Sequence, residues 1–146
     1  METGGLRETR GMMPQANRSP AAPRHLFVYG TLRSGGSNDI ARWLPAPQFV
    51  GAAEIAGTLY DLGAYPGARL GGSARLHGEV YRIEAALESQ LDRFEEVRPD
   101  DEGEYLKRQV QVHVGSRSVD CLVYEIHPRR VAGRPVIASG DWLSRR

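Results

Sequence analysis

The strongest helical signal in this chain is confined to residues 84–96, where Ile83, Leu87, Leu91 and Phe94 recur at helical spacing and neither Gly nor Pro intervenes. Elsewhere, 17 Gly and 9 Pro divide the sequence into short apolar runs that suit strands. His25, Leu26, Phe27, Val28 and Tyr29 form one such run, ended by Gly30. Residues 49–62 read as one or two strands, and residues 74–83 alternate Leu76, Gly78 and Val80 against His77, Glu79 and Tyr81. Between them, residues 63–67 carry turn chemistry. Residues 105–114 and 119–126 flank Gly115-Ser116-Arg117-Ser118, which predicts a hairpin. Residues 39–44 suit a short helix stopped by Pro45, and Trp142 suits a lid over one apolar end. The expected class is α+β, built on a mainly antiparallel sheet or barrel.

At 146 residues the chain has the length of one domain. Residues 1–24 combine scattered Arg with Gly4, Gly5, Gly11, Pro14, Pro20 and Pro23, and predict a disordered tail before a domain spanning residues 25–146. The net charge is +1 for the whole chain and −1 without the four Arg and two Glu of that tail. No global field favours nucleic acid or an anionic membrane. No apolar run approaches the roughly 18 residues that span a bilayer, and the N-terminus lacks a secretory apolar core. One cysteine, Cys121, excludes an intramolecular disulfide and suits a reducing compartment, with the cytoplasm as the expectation.

Few residues point to chemistry unaided. The loop after the first run has neither a P-loop nor a dinucleotide pattern. It is able to present consecutive backbone N–H groups to a carboxylate or oxyanion, Gly30 permitting unusual backbone angles. On a helix with Leu87 at zero, Ile83, Leu91 and Phe94 fall within roughly 40°, Glu95 near about 80° and Glu96 near about 180°. Glu95 therefore borders the buried face and Glu96 faces water. A carboxyl group at such a border loses solvation, which raises its pKa toward proton transfer near neutrality. Glu84 and Glu88 share that flank, so the geometry alone leaves the choice open, and a solvated charge is the ordinary reading of such a pattern. His25, His77, His113 and His127 lack metal-ligand spacing, and no metal is expected. Asp100, Asp101, Glu102 and Glu104 lack calcium-loop spacing, and Cys121 reads as a small strand residue.

The order of several motifs carries a resemblance. Val28-Tyr29-Gly30-Thr31-Leu32-Arg33, Tyr65-Pro66-Gly67, His77-Gly78-Glu79-Val80-Tyr81, Leu91-Asp92-Arg93-Phe94-Glu95, Tyr105-Leu106-Lys107-Arg108 and Gly140-Asp141-Trp142-Leu143 resemble the gamma-glutamylcyclotransferase-like family in order and approximate spacing. The likeness runs from His25 nearly to the end. It implies a small mixed, mainly antiparallel β-barrel with flanking helices. It also implies a cofactor-independent reaction on a small-molecule gamma-glutamyl substrate. In that reaction the substrate's α-amino group attacks its own γ-carbonyl and releases 5-oxoproline and a free amine.

By the same resemblance, Glu95 matches the catalytic glutamate and Tyr29, Gly30, Thr31 and Leu32 match the substrate-binding loop. Tyr124 falls where some members carry a substrate-contacting tyrosine, and Tyr105 opens the strand after the catalytic region. Some short bacterial relatives carry their glutamate at the position of Glu104, which is thus a rival for the role of Glu95. A non-catalytic small-ligand binding protein of the same fold is the alternative.

Overall fold

The computed structural model describes residues 23–98 and 102–144. Most of the predicted tail lies outside these residues, as do Asp100 and Asp101; Arg24 already belongs to the first strand. Among the described residues there are five strands and one α-helix: β1 Arg24–Val28, β2 Gln48–Asp61, β3 Pro66–Ile83, α1 Ala85–Phe94, β4 Tyr105–Val114 and β5 Arg117–Ile126. Short 3-10 turns occupy Ile40–Arg42, Pro128–Arg130 and Trp142–Ser144.

The strands form one sheet in the order β2-β3-β1-β5-β4. Every neighbouring pair is antiparallel except β1 and β5, which run parallel through His25↔Cys121 and Leu26↔Leu122. The two central strands are apolar on both sides because both faces are covered. Leu26 and Val28 join Leu122, Tyr124 and Ile126 in a cluster under Leu87 and Leu91 of α1. Phe27 and Tyr29 join Cys121 and Val123 in a second cluster closed by Trp142, the predicted lid.

The expected barrel is an open sheet. Its outer strands come close enough that a Cβ on Gly51 of β2 would lie 2.6 Å from Val114 Cγ1 of β4. No ladder joins those two edges among the described residues. The predicted helices reduce to α1 and 3-10 turns, with Ile40–Arg42 in place of the helix over residues 39–44.

The turn expected at residues 63–67 sits slightly earlier: Leu62 N–H donates to the Tyr65 carbonyl (3.0 Å), Gly63 has φ 104°, and Pro66 and Gly67 already pair with β2. Gly67 is needed in the strand because a Cβ there would lie 2.6 Å from Ile126 Cβ. Strand β3 runs well before residue 74. Its ladder to β2 passes from Gly57↔Leu70 directly to Ala56↔Arg75, so residues 71–74 bulge outward, with Gly71 and Gly72 at positive φ. The predicted hairpin of β4 and β5 is present, but its turn is Gly115 and Ser116 alone: Arg117 and Ser118, expected in the turn, already pair with Val114 and His113.

Candidate active site

A cavity of about 450 Å³ opens where β1 ends, between the loop after β1, the C-terminus of α1 and the starts of β3 and β4. This is within the size range of small-molecule sites. Tyr29, Gly30, Thr31 and Leu32 line one side; Glu95, Glu96, Glu104, Tyr65, Tyr105 and Tyr124 line the rest. All six residues singled out from the sequence therefore meet in one place, together with Glu104.

The loop after β1 is held in detail rather than left flexible. Arg33 N–H donates to the Gly30 carbonyl (3.1 Å), Asn38 N–H to the Thr31 carbonyl (2.9 Å) and Ile40 N–H to the Leu32 carbonyl (2.9 Å). Asn38 Nδ2 also donates to Thr31 Oγ1 (3.1 Å). Beneath the loop, the buried Glu79 carboxylate accepts from Arg33 Nε (3.0 Å), Ser34 N–H (2.8 Å) and Tyr81 Oη (2.9 Å). Arg33 Nη1 donates to Asp141 Oδ1 at 2.7 Å. The N–H groups of Gly30, Thr31 and Leu32 meet no acceptor among the described residues, which leaves three backbone donors beside the cavity. Gly30 is not at positive φ; a Cβ there would lie 2.7 Å from Pro66 Cγ, so it is close packing that demands glycine.

Helix α1 delivers the carboxyl group. Leu87 and Leu91 bury its apolar side, and Glu95 caps its C-terminus with N–H bonded to the Leu91 carbonyl (2.8 Å). Glu96 N–H then bonds the Arg93 carbonyl (3.2 Å) and Val97 N–H the Asp92 carbonyl (2.9 Å), the paired bonds of a Schellman ending. Its left-handed position is filled by Glu96, at φ 55°, in place of the usual glycine. The turn is clamped from outside by Glu104 N–H on the Glu96 carbonyl (3.1 Å). Glu95 is thereby turned inward, and burial, with a smaller contribution from the Glu104 charge, raises its pKa to about 8. Glu96 is exposed at the cavity wall. Phe94, placed on the buried face by periodicity, is instead 41% exposed at the rim, with its ring edge-on to Trp43 at 5.1 Å. The last turn of α1 overhangs the core, so helical phase stops predicting burial there.

The tyrosines share one property. Each phenolic proton around the cavity is committed to a protein acceptor. Tyr29 donates to the Tyr124 carbonyl (2.6 Å), Tyr105 to the Pro66 carbonyl (2.7 Å), Tyr124 to Asp92 Oδ1 (2.7 Å), and Tyr65 to Glu104 Oε2. Burial pushes the Tyr29, Tyr105 and Tyr124 hydroxyls upward in pKa, and the Glu104 bond does the same for Tyr65. The cavity thus brings together backbone donors from the loop after β1 and oxygen acceptors from Glu95, Glu96, Glu104 and the tyrosines. Among the described residues, neither Lys nor Arg lines the cavity.

Sequence reading missed Asp92, Lys107 and the Arg33–Glu79 pair. Lys107, the chain's only lysine, bonds Glu88 Oε2 (2.6 Å) and Asp92 Oδ2 (2.8 Å). Its rarity was the available signal. Among the described residues no group of three or more His, Cys, Asp or Glu side chains is disposed to hold a metal, and no helix is long and apolar enough to cross a membrane.

Fold and cavity together define a class: an open, mixed sheet with one helix, and an acid-lined cavity at the ends of its central strands. The chain belongs to the gamma-glutamyl cyclotransferase, AIG2-like family, whose model matches residues 26–144. It is 39% identical over 121 residues to the gamma-glutamylcyclotransferase family protein YtfP of Escherichia coli (strain K12), covering 82% of this chain and 96% of that protein. The solution structure of ytfP from Escherichia coli superposes with a TM-score of 0.59 at 36% identity, over 82% of this chain and 96% of the other. An AIG2-like protein from Mus musculus gives 0.62 at 27% identity, over 79% and 86%.

Proposed function

We propose that this protein is a cyclotransferase acting on a gamma-glutamyl amine or gamma-glutamyl amino acid, with Glu95 as the proton carrier. The observation that carries this reading is the place of Glu95: a carboxyl group with its pKa raised to about 8 lines the same cavity of small-molecule size as Gly30, Thr31 and Leu32, whose N–H groups meet no acceptor among the described residues.

Each wall then has a task. The N–H groups of Gly30, Thr31 and Leu32 take anionic oxygen, either the substrate α-carboxylate or the oxyanion that forms at the γ-carbon. The α-ammonium lies among Glu95, Glu104 and the tyrosine oxygens. In its ionised form Glu95 accepts a proton from the α-ammonium, and the freed amine attacks the γ-carbonyl carbon 5-exo, forming the ring C–N bond. The tetrahedral oxyanion collapses, the bond from the γ-carbon to the leaving nitrogen breaks, and Glu95 returns the proton to that nitrogen. The carboxylate so freed takes the second proton from the ring nitrogen and passes it to the released amine, which departs as its ammonium ion. Atoms balance without water or a cofactor. Holding nucleophile and carbonyl in one folded conformer supplies much of the acceleration.

The test is 5-oxoproline release, read by mass spectrometry over a panel of gamma-glutamyl amines and dipeptides. Glu95→Gln keeps size and removes basicity, and is expected to lower turnover by about 10² to 10⁴-fold. Loss with Glu104→Gln alone would move the proton carrier to Glu104. A protein that binds panel members without releasing 5-oxoproline would be a binding protein of the same fold.

A further inference from the structure

Tyr124 has one hydroxyl proton and two directions in which to use it: into the cavity, or toward helix α1. It points to Asp92 Oδ1 at 2.7 Å. The other oxygen of that carboxylate is held by Lys107 Nζ at 2.8 Å, and the same ammonium reaches Glu88 Oε2 at 2.6 Å. Glu88 and Asp92 lie one helical turn apart, a like-charge spacing that destabilises a helix unless a cation is placed between them. Lys107 and Tyr124 are cross-strand partners in the β4–β5 register, so both side chains rise from one patch of the sheet toward the same turn of α1. Glu95 follows Asp92 by three residues on that helix.

We propose that Asp92 and Lys107 are positioning residues that keep the Tyr124 proton turned away from the cavity, so that Tyr124 meets the substrate's α-amino group as a hydrogen-bond acceptor. The inference rests on the cyclotransferase reading for its substrate. An acceptor-only phenol holds the ammonium, and then the neutral amine with its lone pair free, beside Glu95. A phenol that donated into the cavity would instead take that lone pair and block attack. Lys107 is suited to the task because an ammonium has only donors: it takes Asp92 Oδ2 as an acceptor and so holds the carboxylate with Oδ1 turned to Tyr124. Every other Lys or Arg position in the chain is Arg. A planar guanidinium does not reproduce the compact contact to two carboxylates one helical turn apart.

Asp92→Asn tests the idea sharply. Lys107 will retain the amide oxygen, and the amide NH₂ then faces Tyr124, so the phenol must accept from it and release its own proton to the cavity. The expected result is a fall in kcat of about tenfold to a hundredfold with KM changed by less than about threefold. Tyr124→Phe will then cost little more in the Asp92→Asn background, although it lowers kcat in the parent. Lys107→Met, which removes the charge at similar length, leaves Asp92 able to accept from Tyr124 but without the contact that fixes its carboxylate. It is expected to lower kcat by less than Asp92→Asn does, with Lys107→Arg restoring part of it.

An independent readout uses protein labelled with ¹³C at the phenolic carbon of its six tyrosines, with the Tyr124 signal assigned by its loss in Tyr124→Phe. That signal is expected to shift in Asp92→Asn and Lys107→Met. An unshifted signal overturns the proposal, as does a full Tyr124→Phe penalty in the Asp92→Asn background. If the parent releases no 5-oxoproline, the functional reading fails, while the labelled signal still decides whether Lys107 and Asp92 set the hydroxyl direction.

Discussion

The Tyr29 hydroxyl donates to the backbone carbonyl of Tyr124 at 2.6 Å, joining residues 95 positions apart, and accepts from Ala68 N–H at 3.1 Å. It extends the parallel β1–β5 pairing beyond its last ladder residues. Tyr29 shapes the cavity wall with its ring and uses its polar end to tie three strands together. Tyr29→Phe keeps the ring and strands a buried carbonyl and a buried N–H. A loss on the order of 2 kcal/mol in unfolding free energy is expected from urea titration. A change within about 0.5 kcal/mol would show that those backbone groups are satisfied without the hydroxyl.

The raised pKa of Glu95 sets the sign of two pH effects. The free protein holds this carboxyl protonated below about pH 8, so kcat/KM for 5-oxoproline release is expected to rise with pH through that point. Glu104→Gln removes a neighbouring negative charge and is expected to move that limb to lower pH. For stability, the folded state binds this proton more tightly than the unfolded chain does. The stability it contributes is full below the ordinary carboxyl range and is lost as pH rises through about 8. Glu95→Gln is therefore expected to gain on the parent between pH 5 and pH 9, by an amount on the order of 2 kcal/mol. An equal pH dependence in parent and variant would contradict the assignment.

Arg33 holds the donor loop over the buried Glu79 and also binds Asp141. Arg33→Ala leaves Glu79 with Ser34 N–H and Tyr81 Oη but without its cation. A stability loss of about 3 kcal/mol is expected, since removing one partner of a buried pair strands the other charge. In assays KM should rise more than kcat falls, because the loosened element is the one proposed to hold the substrate. Arg33→Lys should restore little, as one ammonium does not span both contacts.

The turn that aims Glu95 carries opposite requirements at its two ends. Glu96 occupies a left-handed conformation that suits glycine, so Glu96→Gly is expected to stabilise the fold by up to about 1 kcal/mol. Gly103 lies against that turn so closely that a Cβ would come within 1.8 Å of the Glu96 carbonyl oxygen. Gly103→Ala should therefore displace the turn, lowering both melting temperature and kcat. Thermal melts and turnover measured together check this; an unaffected kcat would separate the clamp from the aim of Glu95.

Much of the fold was legible because it is local. The β4–β5 hairpin followed from Gly115-Ser116-Arg117-Ser118, although the last two of these belong to β5, and α1 followed from Leu87 and Leu91. Periodicity failed where local rules compete with tertiary position. Ile83 fitted the helical phase yet ends β3, and Phe94 fitted it yet sits at the cavity rim. The Leu-Asp-x-x-Glu motif brought Glu95 forward, but the partner of Arg33 lies 46 residues away in Glu79 and a second lies 108 away in Asp141. The Lys107 contacts belong to this second kind, because they depend on which strand lies beneath which turn of the helix.

The parallel pairing of the first and last strands of the sheet bears on how the chain is made. When synthesis has passed α1, β1 is paired only with β3, and one of its edges waits for a strand not yet translated. The ribosome must add residues through Ile126 before Tyr29 finds its carbonyl and before Tyr124 can enclose the cavity. Contacts of such sequence separation slow folding and leave apolar edges open in the interval. A nascent chain stalled before β5 would hold Glu95 and the Gly30 loop with the cavity unclosed where Tyr124 belongs. The ability to bind a ligand would then appear late in translation and in a single step.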